Sequence, residues 1–392
     1  MKHISGKLRT WGKDMMKGLL FHHACPGMYR LFAKKKIRTR KAVFLEERGN
    51  TLSDNCRMVK AAMRRKGGWK LIDVYLHAEQ GKARQALCSL RALKDLAGAS
   101  YVFIDDSSEL ISCLPLRPET KVVQLWHACG AFKKFGYSLH DKLFGADEKE
   151  LERFPRHRNF SIVTVSAPEV VWAYAEAFHM EERKEAIVPA GIARTDVFFR
   201  EASFDRARKA LAKCVTRSAG HIVLYAPTFR GNASDARAPQ MPDFAWLHRL
   251  LGDDWIFLIK QHPFVKERPA VPAEQAGYVF DLTQSMEIDE LLMVSDVCIS
   301  DYSSLVFEFS LLERPMAFFA PDLDEYNDWR GFYYSYEEMT PGPVCTDTQE
   351  LGEYLAHLDE RFDPEQIRMF REKFMCACDG HASQRLLDLL KI

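Results

Sequence analysis

The sequence predicts an α/β protein of two doubly wound, Rossmann-like domains that face each other across a cleft. Its 392 residues, 47% of them hydrophobic, suffice for two ordinary domains that each bury a core. Short runs rich in β-branched and aromatic residues alternate with helical stretches, the pattern of parallel sheets covered on both faces. That series breaks once, near residues 189–191, and then begins again.

The first 41 residues stand apart from this pattern. Between Lys7 and Leu20 the apolar residues Leu8, Trp11, Met15 and Leu19 recur three and four apart, and Met16 and Leu20 widen the stripe. Lys7, Arg9, Lys13 and Lys17 fall largely off that face. After Pro26 come Met28, Tyr29, Leu31 and Phe32, then Lys34, Lys35, Lys36, Arg38, Arg40 and Lys41. Apolar insertion beside a polybasic patch predicts peripheral attachment to an anionic membrane surface. The alternative is a helix packed on the protein's own first domain with a solvated charge run behind it. Residues 42–188 are expected to form the first domain, with strands at 42–45, 71–76, 101–104, 122–126 and 162–165 and helices at 83–96 and 168–178. Residues 189–392 form the second, with strands at 222–226, 255–260, 279–282, 297–300 and 316–319. Whether its last helix packs back on the first domain is left open by the sequence.

The net charge of +1 hides an asymmetry: residues 1–42 hold twelve Lys or Arg and one acid, Asp14, so the remainder is acidic overall. A nucleic-acid enzyme would spread its basic groups over the main fold, and nucleic acid is therefore not expected as a partner. Ten dispersed cysteines include no convincing C-x2-C pair, which points to free thiols in a reducing compartment and to no zinc site. No apolar window reaches the length of a membrane span, and no uninterrupted apolar run suggests a secretory leader. Neither half contains G-x-G-x-x-G or a P-loop, so the fold is expected without NAD or P-loop ATP chemistry, and with no cofactor.

In facing parallel sheets, ligands collect beyond the carboxyl ends of the strands. Four such ends carry unusual polar residues. The first reads Gln124, Leu125, Trp126, His127, Ala128, Cys129, Gly130, with Lys133 and Lys134 behind it; a histidine just beyond a buried strand suits a general base. The second, Tyr225, Ala226, Pro227, Thr228, Phe229, Arg230, Gly231, offers a hydroxyl and a guanidinium for phosphate. In the third, Pro263 fixes His262 directly after the strand, where it can donate to a phosphoryl oxygen, with Lys260 on the same side. The fourth, Ser300, Asp301, Tyr302, Ser303, Ser304, leads into a helix whose start can hold an anion and whose Glu308 can accept from a sugar hydroxyl. The later acids Asp322, Asp324 and Glu325 are read as solvated or paired with Arg330 rather than as Mg²⁺ ligands. The set favours phosphate transfer stabilised by Ser, Thr, Arg, His and backbone groups.

Taken in order, these positions resemble the CDP-glycerol glycerophosphotransferase family, which builds teichoic acids and related polyol-phosphate polymers. The resemblance runs over essentially the whole chain. It includes Gly49, Asn50 and Thr51 with Ser53, Asp54 and Asn55, the Gln124 to His127 segment, the Tyr225 to Arg230 segment, His262 and Pro263, the Ser300 to Ser304 segment, and Arg330, Gly331, Phe332 and Tyr333. It implies a GT-B-like enzyme, active without a bound metal, on the cytoplasmic face of the membrane. CDP-glycerol or CDP-ribitol would be the donor and a lipid-linked polyol phosphate or glycan the acceptor. It also implies His127 as base, His262 near the donor phosphates, Thr228, Arg230, Ser303, Ser304, Glu308 and Arg330 on the donor side, and Asn50, Thr51 and Lys133 toward the acceptor. Many relatives follow Trp-His with Gly-Thr-Pro, where this chain has Ala128, Cys129 and Gly130, so the acceptor-side loop differs. A sugar-nucleotide glycosyltransferase of the same architecture is the rival expectation; it would release a nucleoside diphosphate rather than CMP.

Overall fold

The computed structural model describes residues 15–77, 80–139, 148–232 and 235–392, with the side chains of 148–149 and 327–330 left out. Two six-stranded, wholly parallel sheets carry the fold. The first comprises β1 (Arg38–Glu46), β2 (Lys70–Tyr75), β3 (Ala99–Ile104), β4 (Lys121–Gln124), β5 (Ile162–Thr164) and β6 (Ile187–Val188), in the order β2-β1-β3-β4-β5-β6. The second comprises β7 (His221–Tyr225), β8 (Trp255–Ile259), β9 (Val279–Asp281), β10 (Val297–Ser300), β11 (Met316–Phe319) and β12 (Val344–Cys345), in the order β12-β11-β10-β7-β8-β9. All ten expected strands are present. The two-residue edge strands β6 and β12 escaped the sequence because so short a run carries no periodicity.

Side chains alternate between the two faces of a strand, and here both faces are buried. On β1, Val43 and Leu45 join a large core cluster with Val102, Val122 and Val163, while Ala42 and Phe44 join another with Phe103, Val123 and Leu125. The second sheet divides likewise: Leu224, Leu258 and Cys298 face the large cluster, and Val223, Phe257 and Ile299 face helices Phe244–Leu251 and Thr348–Ala356. The large cluster runs through both domains without interruption.

The domains meet along an aromatic seam. Phe132 packs edge-on to Phe307 and Phe332, Lys133 and Phe332 form an antiparallel bridge, and Tyr333 donates its hydroxyl to Ser138 Oγ at 2.8 Å. Phe332 and Tyr333 both sit in this seam. The chain then returns: helix Ala382–Leu389 packs on helix Asp54–Lys66, and the Asp196 carboxylate accepts from the N–H groups of Ala382 and Ser383 at its start.

Most of the expected amphipathic segment, residues 1–14, lies outside the described residues. Beyond it, residues 15–18, Leu19–Ala24 and Cys25–Phe32 are helical. Part of the expected membrane-facing group is corrected here. Tyr29 is fully buried, together with Phe21 and Cys25, in the core against helix Lys82–Ala97. Its position one turn beyond Cys25 puts it on the inward stripe. Lys41 likewise leaves the basic patch, donating to the Asp95 carboxylate at 2.9 Å. Met15, Met16, Leu19 and Leu31 stay exposed, as do Lys34, Lys35, Lys36, Arg38 and Arg40. No helix among the described residues is long and apolar enough to cross a membrane.

Candidate active site

All four strand ends line one interdomain cavity of about 680 Å³. Within the second domain the order is that of a dinucleotide-binding sheet, and its direction switches between β7 and β10. Loops diverge at such a point and leave a crevice. Thr228 follows β7, Ser303, Ser304 and Glu308 follow β10, and His262 follows β8, so the residues that the sequence assigns to the donor side surround this crevice. His127 and Lys133 reach the same cavity from the other domain.

The backbone around His127 is under strain and held. Trp126 adopts φ 51°, a left-handed conformation that costs a bulky residue roughly 1–3 kcal/mol. Its N–H donates to Gln124 Oε1 at 2.9 Å and its carbonyl accepts from Asn55 Nδ2 at 2.6 Å. Its ring packs among Phe135 and Phe178. The kink turns exposed His127 into the cavity, where its Nδ1 donates to the Asp105 carbonyl at 2.9 Å. A carbonyl only accepts, so in the neutral ring Nδ1 carries the proton and Nε2 presents a lone pair.

His262 is set the opposite way. Its Nδ1 accepts from the Phe264 N–H at 3.2 Å, which leaves the proton of the neutral ring on Nε2. Phe229 and Phe264 flank the ring. One cavity thus holds a histidine arranged to take a proton and another arranged to give one.

Four buried polar atoms of lining residues lack partners among the described residues: Thr228 Oγ1, Glu308 Oε2, Arg194 Nε and Gln261 Oε1. Glu308 spends its other oxygen on Arg194 Nη2, and Arg194 also stands 3.7 Å from Asp289. Burial pushes the Asp289 carboxyl above its usual range, with Arg194 opposing. Ser303 Oγ accepts from the Leu305 N–H at 3.4 Å; Ser304 occupies the cap position of a helix of only six residues, Leu305–Ser310, without a side-chain cap bond.

The other expected residues are placed differently. Arg230 is absent from the cavity lining. Its guanidinium donates to both Asp322 oxygens, to Asp301 Oδ2 at 3.0 Å and to the Thr228 carbonyl at 2.7 Å. It therefore shapes the Thr228 loop from behind, and Asp322 is held below the usual carboxylate range by Arg230 and a Tyr302 hydrogen bond against the effect of burial. Lys260 lines the cavity but donates to the Thr283 and Met286 carbonyls, and burial lowers its pKa. Lys133 donates to the Tyr326 hydroxyl at 3.1 Å across the seam. Asn50 and Thr51 are exposed and lie off this cavity, with Asn50 Oδ1 accepting from Gln80. The Arg330 side chain lies outside the described residues. Cys129 lines the wall but is buried, which raises its pKa well above normal and leaves no thiolate to attack.

Sequence reading missed Arg194 and the bracing roles of Asn55 and Asp105. Asn55 joins three segments, donating to Trp126 and accepting from the Arg194 N–H at 2.9 Å. Arg194 follows Gly191 by three residues in the stretch after β6, where Gly191 at φ 83° passes against the Ala377 carbonyl. A glycine followed by an arginine at a domain junction was the available signal.

Gly130, in the loop that departs from the usual Gly-Thr-Pro, shows why no larger residue fits. It has φ 58°, and a Cβ there would come within 2.2 Å of the Phe307 ring. Gly130→Ala is expected to cost on the order of 3 kcal/mol through overpacking and backbone strain. Denaturant unfolding measures it, and a loss below about 1 kcal/mol would show that the seam yields.

Residues 27–391 match the family described as CDP-glycerol:poly(glycerophosphate) glycerophosphotransferase. The chain is 35% identical over 369 residues to the teichoic acid ribitol-phosphate primase of Bacillus spizizenii, covering 92% of this chain and 93% of that protein. It is also 35% identical to the teichoic acid poly(ribitol-phosphate) polymerase of the same organism, covering 94% of this chain but 58% of that longer protein. Among solved structures, the wall teichoic acid polymerase TagF superposes with a TM-score of 0.75 at 21% identity, over 100% of this chain and 98% of that one. That likeness places the two facing sheets in a GT-B-like arrangement.

Proposed function

The chain belongs to the CDP-glycerol:poly(glycerophosphate) glycerophosphotransferase family, and on that premise we propose that it moves ribitol phosphate from CDP-ribitol to a lipid-linked polyol-phosphate acceptor, with His127 as base. The chain is an enzyme that transfers a CDP-activated polyol phosphate in teichoic-acid-type polymer synthesis. Ribitol as the donor's polyol is supported by the two ribitol-phosphate enzymes at 35% identity.

The observation that carries the mechanism is the pair of oppositely set histidines on one cavity. His127 Nε2 takes the proton of the acceptor's terminal hydroxyl, and the freed oxygen attacks the β-phosphorus of the donor in line. The bond from that phosphorus to the bridging oxygen breaks, CMP leaves, and a phosphodiester remains. His262 Nε2–H donates to the phosphate oxygens as charge shifts toward CMP, and Thr228 Oγ1, Ser303 and Ser304 supply hydroxyls beside it. Glu308 Oε2 accepts from a hydroxyl of the donor. Arg194 faces Glu308 and Asp289 and adds fixed positive charge. Attachment to the cytoplasmic face of an anionic membrane is supported by the exposed apolar side chains Met15, Met16 and Leu19 and by the exposed cations Lys34, Lys35, Lys36, Arg38 and Arg40.

The test is CMP release from CDP-ribitol and from CDP-glycerol, supplied separately with a polyol-phosphate-primed lipid acceptor and EDTA. Release from CDP-ribitol at least about tenfold faster, coupled to acceptor growth, is expected, a preference of roughly 1.4 kcal/mol. Faster release from CDP-glycerol overturns the donor assignment. Nucleoside diphosphate release from a sugar nucleotide, with neither CDP-polyol active, overturns the reaction. The cations lining the cavity predict activity that survives EDTA.

A further inference from the structure

The first sheet has its own switch point. Its order reverses between β1 and β3, and by the same argument a crevice should open beyond their carboxyl ends. A groove of about 720 Å³ lies there, separate from the cavity that holds the two histidines. Glu47 and Arg48 follow β1, Ser107 follows β3, Ala83 and Ala86 on helix Lys82–Ala97 form one wall, and Leu20 and Phe21 form the other.

Three features say what it takes. Its walls are largely apolar, and at its edge Met16 and Leu19 are 66% and 55% exposed, so hydrocarbon can enter from that side. At its inner end Glu47 is only 8% exposed, and its Oε1 has no hydrogen-bond partner among the described residues. Such an atom loses hydration on burial and favours a ligand that donates to it. Burial pushes this carboxyl up to about 8, so it stands near neutral pH mainly as an uncharged acid, which a hydrocarbon-bearing ligand tolerates better than a carboxylate.

The groove also adjoins the catalytic cavity. Arg48 lines both. Asp105, whose carbonyl holds His127, and Ser107, on the groove, are two residues apart, which limits their Cα separation to about 7 Å. We propose that this groove is the acceptor channel: it seats an amphiphile whose hydrocarbon chain lies between Leu20, Phe21, Ala83 and Ala86, whose hydroxyl-bearing head donates to Glu47, and whose growing end passes Arg48 to His127. The inference rests on the transferase reading above and adds where the acceptor binds and which part of it is recognised.

The experiment compares two acceptors with the same polyol-phosphate head, one carrying a dodecyl chain and one a methyl group, in wild type, Ala86→Trp and Glu47→Met, neither residue belonging to the catalytic cavity. With the dodecyl acceptor, Ala86→Trp is expected to raise KM at least about tenfold while kcat and the KM for the CDP-polyol hold; with the methyl acceptor it changes nothing. Glu47→Met, which keeps the side chain's length but removes the acceptor oxygen, raises KM for both acceptors. Equal KM for the dodecyl acceptor in wild type and in both variants overturns the channel. If neither acceptor is used by wild type, the transferase reading itself fails, a distinct result. Calorimetric titration of dodecyl phosphate gives a second readout: binding by wild type weakened by Ala86→Trp supports the channel. Binding that appears only after removal of residues 1–14 would assign the groove to the chain's own N-terminus and overturn it.

Discussion

His127→Ala is expected to lower kcat for polyol-phosphate transfer by roughly 10²–10⁴-fold, the usual worth of a positioned base, with little change in the KM for the donor. The reason is positional. The groups proposed to hold the donor, Thr228, Ser303, Ser304, Glu308 and His262, belong to the second domain, whereas His127 reaches the cavity from the first. Removing it takes away a proton acceptor without touching the donor's walls. His127→Gln sharpens the test, because an amide can keep the hydrogen bond to the Asp105 carbonyl but has no basic lone pair to replace Nε2. Equal loss in both variants supports the base; a near-normal rate in His127→Gln would reassign the residue to positioning. The readout is single-turnover CMP formation, with thermal unfolding showing that the fold is intact.

Arg194→Ala is expected to be the most damaging single change to stability, by about 3–5 kcal/mol. Arg194 has only 16% of its side chain exposed and faces Glu308, at 2%, and Asp289. Truncation leaves a buried carboxylate without its counter-charge, and that uncompensated charge costs more than the pair contributes. Most of the loss should therefore return in Arg194→Ala combined with Glu308→Gln, which removes the stranded charge as well. Urea unfolding of the two single variants and the double variant gives the coupling directly. Strict additivity would show that the loss comes from the packing of the Arg194 side chain and not from its pairing with Glu308. Activity is not expected to return with stability, because the double variant still lacks the Glu308 carboxylate that faces the cavity.

The sequence by itself determined the two parallel sheets and the segments that end in chemistry. β-branched and aromatic runs such as 222–226 and 255–260 are too apolar to lie anywhere but a sheet buried on both faces. The polar residues that follow them cannot be buried with the strand, so His127, Thr228, His262 and Ser303 were legible as strand-end groups before their neighbours were known. Their gathering on one cavity follows from the parallel direction that the strands share.

Tertiary structure decided what each polar group has to spare. Arg230 looked like a phosphate ligand because a guanidinium after a strand suits one, yet Asp301 and Asp322 come from distant segments and take its hydrogen bonds. Tyr29 looked like a membrane contact because a helix shows its apolar stripe in sequence but not what covers it, and helix Lys82–Ala97 covers it. Arg194 was invisible for the converse reason: its significance depends on Glu308, 114 residues away, and on Asn55, 139 residues away. The tautomers of the two histidines were likewise unreadable, since each is set by one backbone group, the Asp105 carbonyl or the Phe264 N–H, brought to 2.9 and 3.2 Å only when the loops close. Periodicity reports burial along a segment, whereas hydrogen-bond partners drawn from different segments exist only after the chain has folded.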